Sequence, residues 1–201
     1  MNRPLLLDRW KITDAELTQI VDDNPSLRGF MLGYIGEYKL KNLLLSDPRV
    51  TNLIKPDDQK RGAGSKNDMT ITYRERIFTV EVKSLQTNSI KKDIHGKMTG
   101  TIQVDASDKR PVTLPDGSKV ETTCLLKGEF DLLALNLFQF NETWDFAFIL
   151  NRNLPTTTSR KYNEYQQQHL LSTAIKVTFP LEHPYVNDPF ILLDRLVDSS
   201  D

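Results

Sequence analysis

The two most apolar stretches of the chain, Phe130–Phe138 and Trp144–Leu150, follow one another in sequence, and each is under ten residues long. Runs this short and this apolar read as buried strands, so the chain is organised around a sheet. What precedes them has a different period. Thr13-Asp14-Ala15-Glu16 fits a capping box that opens a short helix to about Asp22. Asn24-Pro25-Ser26 breaks it and starts a second helix, from about Leu27 to Leu45. One stripe of that helix carries Phe30, Gly33, Tyr34, Glu37, Leu40, Lys41 and Leu44 at three- and four-residue spacing.

From Val50 the pattern becomes that of strands: Val50–Ile54, Asp68–Tyr73, Ile77–Ser84, Thr101–Val104 and Ala174–Phe179. Pro56–Lys66 is a polar, glycine-bearing loop, and residues 85–100 are basic and irregular. Val112–Leu114 and Lys119–Thr123 flank Pro115-Asp116-Gly117-Ser118, a hairpin signal. Arg160–Leu171 reads as a polar helix, and Asp188-Pro189 caps a terminal helix through Val197. Helices first, a sheet in the middle and helices last predict a three-layer α/β (α+β) domain, a central mixed sheet flanked by helices. At 201 residues a single domain suffices, with 1–27 as an N-terminal helical appendage and 111–123 as an inserted hairpin.

Composition narrows function by exclusion. The net charge is −1, from 26 basic and 27 acidic side chains. That excludes a uniformly cationic nucleic-acid coat, though not a local basic groove. The one cysteine, Cys124, excludes a disulfide framework and a cysteine-type zinc site. No apolar run approaches the length of a membrane span, and the apolar run at the N-terminus is too short for a secretory signal. A soluble, cytoplasmic protein with no membrane partner is expected. His95, His169 and His183 are far apart and lack helical metal-site spacing, and no GxSxG elbow is present. Gly62-Ala63-Gly64-Ser65-Lys66 is followed by Asn-Asp and a strand, where a phosphate-binding loop needs Gly-Lys-Ser/Thr and a helix; it reads as a flexible loop. Tyr34-Ile35-Gly36 is half of a GIY-YIG nuclease signature whose other half is missing.

A carboxylate–lysine constellation survives. The triplet (D/E)-x-K is expected about twice by chance in this composition and occurs three times, at Glu37-Tyr38-Lys39, Asp58-Gln59-Lys60 and Glu81-Val82-Lys83. The first lies in a helix, where i and i+2 diverge, and the second in a loop. The third lies in a strand, so Glu81 and Lys83 share one face while Phe78, Val80 and Val82 take the other. If the hairpin turns between Arg74 and Glu75, Asp68 stands opposite Glu81. Two carboxylates there destabilise the sheet unless a cation compensates. A three-residue turn would instead oppose Asp68 to Val82. Glu37 sits mid-stripe on a helix that covers the sheet and either joins this pair or makes a surface pair with Lys41. The bland alternative for the whole set is a solvated face carrying Thr72, Thr79, Glu81 and Lys83.

The order of helix-Glu37, Asn67-Asp68 opening a strand, and Glu81-Val82-Lys83 in the next strand resembles the PD-(D/E)XK nuclease superfamily, type II restriction endonucleases in particular. The resemblance covers residues 28–104, which would be the catalytic core. Asn67 replaces the Pro of the motif. Gln103 resembles the glutamine often found beside such sites, while the Gln-x-x-x-Tyr signature of the exonuclease-like branch is absent because position 107 is Ser. The resemblance implies a restriction-endonuclease-like core hydrolysing DNA phosphodiester bonds with Mg²⁺. Asp68, Glu81 and the Val82 carbonyl would be the metal ligands, Lys83 would act on the attacking water, and Glu37 would hold a second metal or its water. It also implies double-stranded DNA as partner, a homodimer, and a possible cognate DNA methyltransferase. Within the same fold a repair or junction-resolving nuclease is the closest rival; a non-catalytic DNA-binding module is the rival from another class. For DNA contact the sequence offers Lys91, Lys92 and Lys97 just beyond the active strand, and Lys109, Arg110 and Lys119 around the hairpin.

Overall fold

The computed structural model describes residues 4–56 and 67–199. The chain opens with α1 (Leu6–Trp10) and α2 (Asp14–Asp23), neither of which buries a residue. The capping box at α2 forms as the sequence predicts: Thr13 N–H donates to Glu16 Oε2 at 2.8 Å and Glu16 N–H to Thr13 Oγ1 at 3.2 Å. Helix α3 (Pro25–Leu45) follows, with proline in its first turn.

The central sheet has the order β1-β2-β3-β8-β9, from β1 (Val50–Ile54), β2 (Met69–Tyr73), β3 (Arg76–Ser84), β8 (Leu132–Asn136) and β9 (Phe146–Leu150). The β3–β8 pair is parallel and the others antiparallel, so the sheet is mixed. Strand alternation divides the core in two. Phe78, Val80, Val82, Leu132, Ala134, Phe146, Phe148 and Leu150 face one cluster, covered by α3 and by α6 (Pro189–Asp198) through Leu40, Leu44, Leu192 and Leu193. Leu133, Leu135, Ala147 and Ile149 face the other.

That second face is covered by a β layer: β5 (Met98–Gln103), flanked by β4 (Lys91–Lys92) and β10 (Ala174–Phe179), with Ile102, Ile175 and Val177 turned inward. A separate ribbon of β6 (Asp105–Thr113) and β7 (Lys119–Cys124) forms a third cluster with Tyr162 and Leu170. Short helices α4 (Phe138–Asn141) and α5 (Glu164–His169) complete the fold. The Gly62–Lys66 segment, the Asp58-Gln59-Lys60 triplet and most of the expected 56–66 loop lie outside the described residues.

Three expectations change. The burying face of α3 is Gly36, Leu40 and Leu44, while Phe30 and Tyr34 of the expected stripe are 70% and 49% exposed. A 21-residue helix is roughly 31 Å long and a five-residue strand about 17 Å, so the N-terminal half of α3 overhangs the sheet. The close approach falls at Gly36, where a Cβ would lie 2.7 Å from Asn136 Nδ2; Gly33 faces open space. The polar helix is shorter than Arg160–Leu171, because Asn163 and Gln166 cap each other at its start and Leu170 bridges Leu126 at its end. Strand β6 begins at Asp105, well before Val112: Arg110–Thr113 pair with β7 in register, and across a shift Asp105 pairs with Cys124.

Candidate active site

The site is built by a turn. Arg74 and Glu75 both adopt positive φ, 45° and 65°, the geometry of a two-residue hairpin whose twist matches its strands. The register then runs without a shift from Tyr73↔Arg76 to Met69↔Val80. One step further, Asp68 reaches β3 where Glu81 stands, and the Val82 N–H donates to Asp68 Oδ2 at 2.9 Å. The register with Asp68 opposite Val82 does not occur.

Glu81 and Lys83 share the face of β3 turned away from α3. That face is not solvated: Glu81 is 6% exposed, and Thr79 is bonded through N and Oγ1 to Asp131. Lys83 Nζ lies 2.8 Å from Glu81 Oε1. Burial pushes the Glu81 carboxyl up to about 7, with Lys83 opposing the rise and the Asp68 and Glu129 carboxylates adding to it. Burial pulls the Lys83 ammonium down, but Glu81, with Asp68 and Asp105 behind it, outweighs burial and leaves its pKa above the ordinary value. The protonated form is favoured because three carboxylates, Glu81 foremost, act on it.

Lys83 opens into a cleft of about 870 Å³ shared with Gln86, Gln103 and Asp105 from one side and with Ser26, Gly29 and Phe30 of the α3 overhang from the other. Gln86 Nε2 donates to Gln103 Oε1 at 2.9 Å, and Gln103 Nε2 to Asp105 Oδ2 at 3.1 Å. Gln103 therefore shares the cleft of Lys83. Gln86 was not singled out from sequence; its signal is position, three residues after Lys83 where β3 ends. Glu129 was also missed. It reads as a loop charge in Lys127-Gly128-Glu129, and what buries it is Arg110, distant in sequence, at 2.6 Å.

The other candidates are distributed. Glu37 lies on α3, over the opposite face of β3, with its side chain 15% exposed and paired to Lys55 at 2.5 Å; Lys55 also sits over the Tyr34 ring. Of the two alternatives for Glu37, joining the Asp68 and Glu81 pair or pairing with Lys41, the structure shows neither, and among the described residues Lys55 is the partner instead. Arg110 clips the ribbon to Glu129, and Lys97 is paired to Glu182 at 2.6 Å. Lys91, Lys92, Lys109 and Lys119 are exposed. The ribbon does not stand free, since Val112, Leu114 and Cys124 pack on Tyr162 and Leu170.

The donor set suits a hard divalent cation. Asp68 and Glu81 are two carboxylates held together, one of them buried, and oxygen ligands of this kind are what Mg²⁺ takes. Asn67 Oδ1, one residue along, is a buried oxygen without a hydrogen-bond donor among the described residues. Among the described residues no three acidic, histidine or cysteine side chains form a metal-holding group, so the pair stands without a third carboxylate there. No described helix is long and apolar enough to cross a membrane.

No protein-family model and no curated protein matches the chain. Among solved structures, the bacterial homing endonuclease I-Ssp6803I aligns over 70% of this chain and 86% of that one, at 17% identity and a TM-score of 0.38.

Proposed function

We propose that the chain is a divalent-metal-dependent endonuclease, hydrolysing DNA phosphodiester bonds in the manner of a restriction enzyme. The observation that carries this reading is the opposed pair Asp68 and Glu81 with Lys83 at the mouth of an open cleft. A buried carboxylate beside a second carboxylate is costly unless something compensates it. Lys83 compensates one charge of the two.

In this reading Asp68 and Glu81, with the Val82 carbonyl, hold Mg²⁺. The bound ion supplies Lewis-acid polarisation of the scissile phosphate and an acidified water. Lys83 places its ammonium on a phosphate oxygen and stabilises the charge that develops there. Gln103, held by Gln86, orients the substrate strand in the cleft. Glu37, over the opposite face of β3 and paired with Lys55, stands outside this set. Lys91, Lys92, Lys109 and Lys119 supply phosphate contacts along the exposed rim, while Lys97 and Arg110 divide their charge with protein carboxylates.

The test is incubation with a mixed duplex library plus Mg²⁺, followed by sequencing of the ends. Defined ends that vanish on chelation and in Asp68→Asn are expected. Intact duplex alongside cut branched DNA would move the reading to a junction-resolving or repair nuclease. Tight DNA binding with no cleavage of either substrate would make the chain a binding module.

A further inference from the structure

A second cavity adjoins the Lys83 cleft, and no step of the proposed hydrolysis uses it. It measures about 490 Å³ and lies between the α3 overhang and the segment after β3; Gly29 and Gln86 line both cavities. Its inner wall is apolar and fixed: Leu85 is 4% exposed, and Phe138 stacks on Trp144 with centroids 4.3 Å apart. Its polar groups are four amides, Gln86, Asn88, Asn136 and Gln139, and the hydroxyls of Ser84 and Thr87, with Asn88 exposed at the mouth. The one cation, Arg28, is at the rim and already 3.7 Å from Asp22. The carboxamides of Asn88 and Gln139 make no hydrogen bond among the described residues, whereas that of Gln86 is held by Gln103.

This lining discriminates between ligands. A phosphate would want several cations or a nest of backbone N–H groups, and one rim arginine is a poor substitute. A purely apolar ligand would leave the amides unpaired. A flat, uncharged group with donors and acceptors along its edge satisfies both the apolar wall and the amides, and that is a nucleobase. The size is within the usual range for small-ligand pockets. Gln86 comes three residues after Lys83, at most about 10 Å along the chain, so a strand whose phosphate lies at Lys83 can place a neighbouring base in this cavity.

We propose that the cavity between the α3 overhang and the Leu85–Asn88 segment receives an unstacked nucleobase of the strand being cut, read by the carboxamides of Asn88 and Gln139. This deepens the nuclease reading and rests on it. Holding one base out of the stack gives the site a preference at the position beside the cut without any contact from the β6–β7 ribbon.

The experiment uses the full chain as Asp68→Asn, so that DNA is bound and not cut. A 2-aminopurine is walked through the duplex, one position at a time. A rise in its fluorescence confined to one or two positions beside the cut mapped with wild type is expected. Asn88→Ala combined with Gln139→Ala should remove that rise and lower the base preference of cleavage at that position roughly tenfold. The double variant should cut a substrate with an abasic residue there as fast as wild type cuts it. Fluorescence that stays quenched at every position, or an unchanged preference in a folded double variant, overturns the proposal while cleavage by wild type still upholds the nuclease reading. Wild type that cuts no DNA overturns both.

Discussion

The two faces of β3 are made from alternate residues of nine, and they do opposite work. Phe78, Val80 and Val82 join Leu40, Leu44 and Phe148 in a core that would serve many proteins. Thr79, Glu81 and Lys83, one residue out of phase, meet polar groups: Asp131, Asp68 and the cleft. The first face lowers its free energy by leaving water. The second is buried at a cost and held by mutual charge. A strand whose second face gains so little on folding has a reason other than stability to carry those residues.

The sharpest way to break the comparison is to change each face by itself. Asp68→Asn and Glu81→Gln should each lower cleavage on the order of 10³-fold or more, because each removes an oxygen charge from a metal-holding pair. Melting temperature should hold or rise, since a like-charge partner is gone. Lys83→Ala should lower cleavage about 10²- to 10⁴-fold while DNA affinity changes little, one phosphate contact among many being lost. Near-native cleavage in any of the three removes that residue from the site.

On the other face the signs exchange. Val80 is fully buried, and Val80→Ala deletes two methyl groups from a packed core at about 2 kcal/mol. In a domain of this size that is a fall in melting temperature of roughly 4–8 °C, with cleavage by the folded protein close to wild type. A Val80→Ala chain that melts normally and does not cut would mean that the two faces are not separable.

What the sequence made legible follows the same division. The hairpin register was readable because its turn is centred on Arg74 and Glu75, and a period of two then assigns every side chain to a face. The face carrying Glu81 and Lys83 was legible for that reason alone. The covering layers were less so. The Phe30–Leu44 spacing marks a helical stripe but not how far the helix outruns its sheet, so Phe30 and Tyr34 were read as core when they border a cleft and solvent. Glu37 was read toward the metal pair, and its partner Lys55 stands just past β1, a contact no local pattern announces. Glu129 needed Arg110, on the ribbon, to become a buried charge.

The charged face should also show itself in pH dependence. The Glu81 carboxyl is raised from an ordinary 4.5 to about 7, chiefly by burial. Between those values the folded chain holds a proton that the unfolded chain has released. Stability without divalent metal therefore falls as pH rises from about 4.5 to about 7, and this contribution levels off above. Glu81→Gln, which has no proton to lose, should flatten that part of the curve. Melting temperatures measured from pH 4 to 8 on both chains check it; parallel curves would show that Glu81 titrates normally and that its burial is relieved.

The smallest expected effect separates two neighbouring cations on β6. Arg110 and Lys109 are adjacent in sequence and both were read as DNA contacts, yet they turn to opposite sides of the ribbon's work. Arg110 has its side chain 25% exposed and reaches a Glu129 carboxylate that is 7% exposed. The same carboxylate accepts from the Leu126 N–H at 2.7 Å. Arg110→Ala leaves that carboxylate without its cation. With part of the guanidinium solvated, the loss should be about 1–2 kcal/mol of stability. It should further raise the Glu81 carboxyl, because Glu129 already acts on it. Lys109 is exposed, so Lys109→Ala should cost under about 0.5 kcal/mol and instead reduce the salt dependence of DNA binding by about one counterion. Chemical denaturation and a salt titration of DNA affinity, run on both variants, give two numbers for each. If Arg110→Ala changes the salt slope and leaves stability alone, the ion pair opens in solution and Arg110 belongs with the DNA contacts. If Lys109→Ala changes neither, the exposed edge of the ribbon does not touch the phosphate backbone.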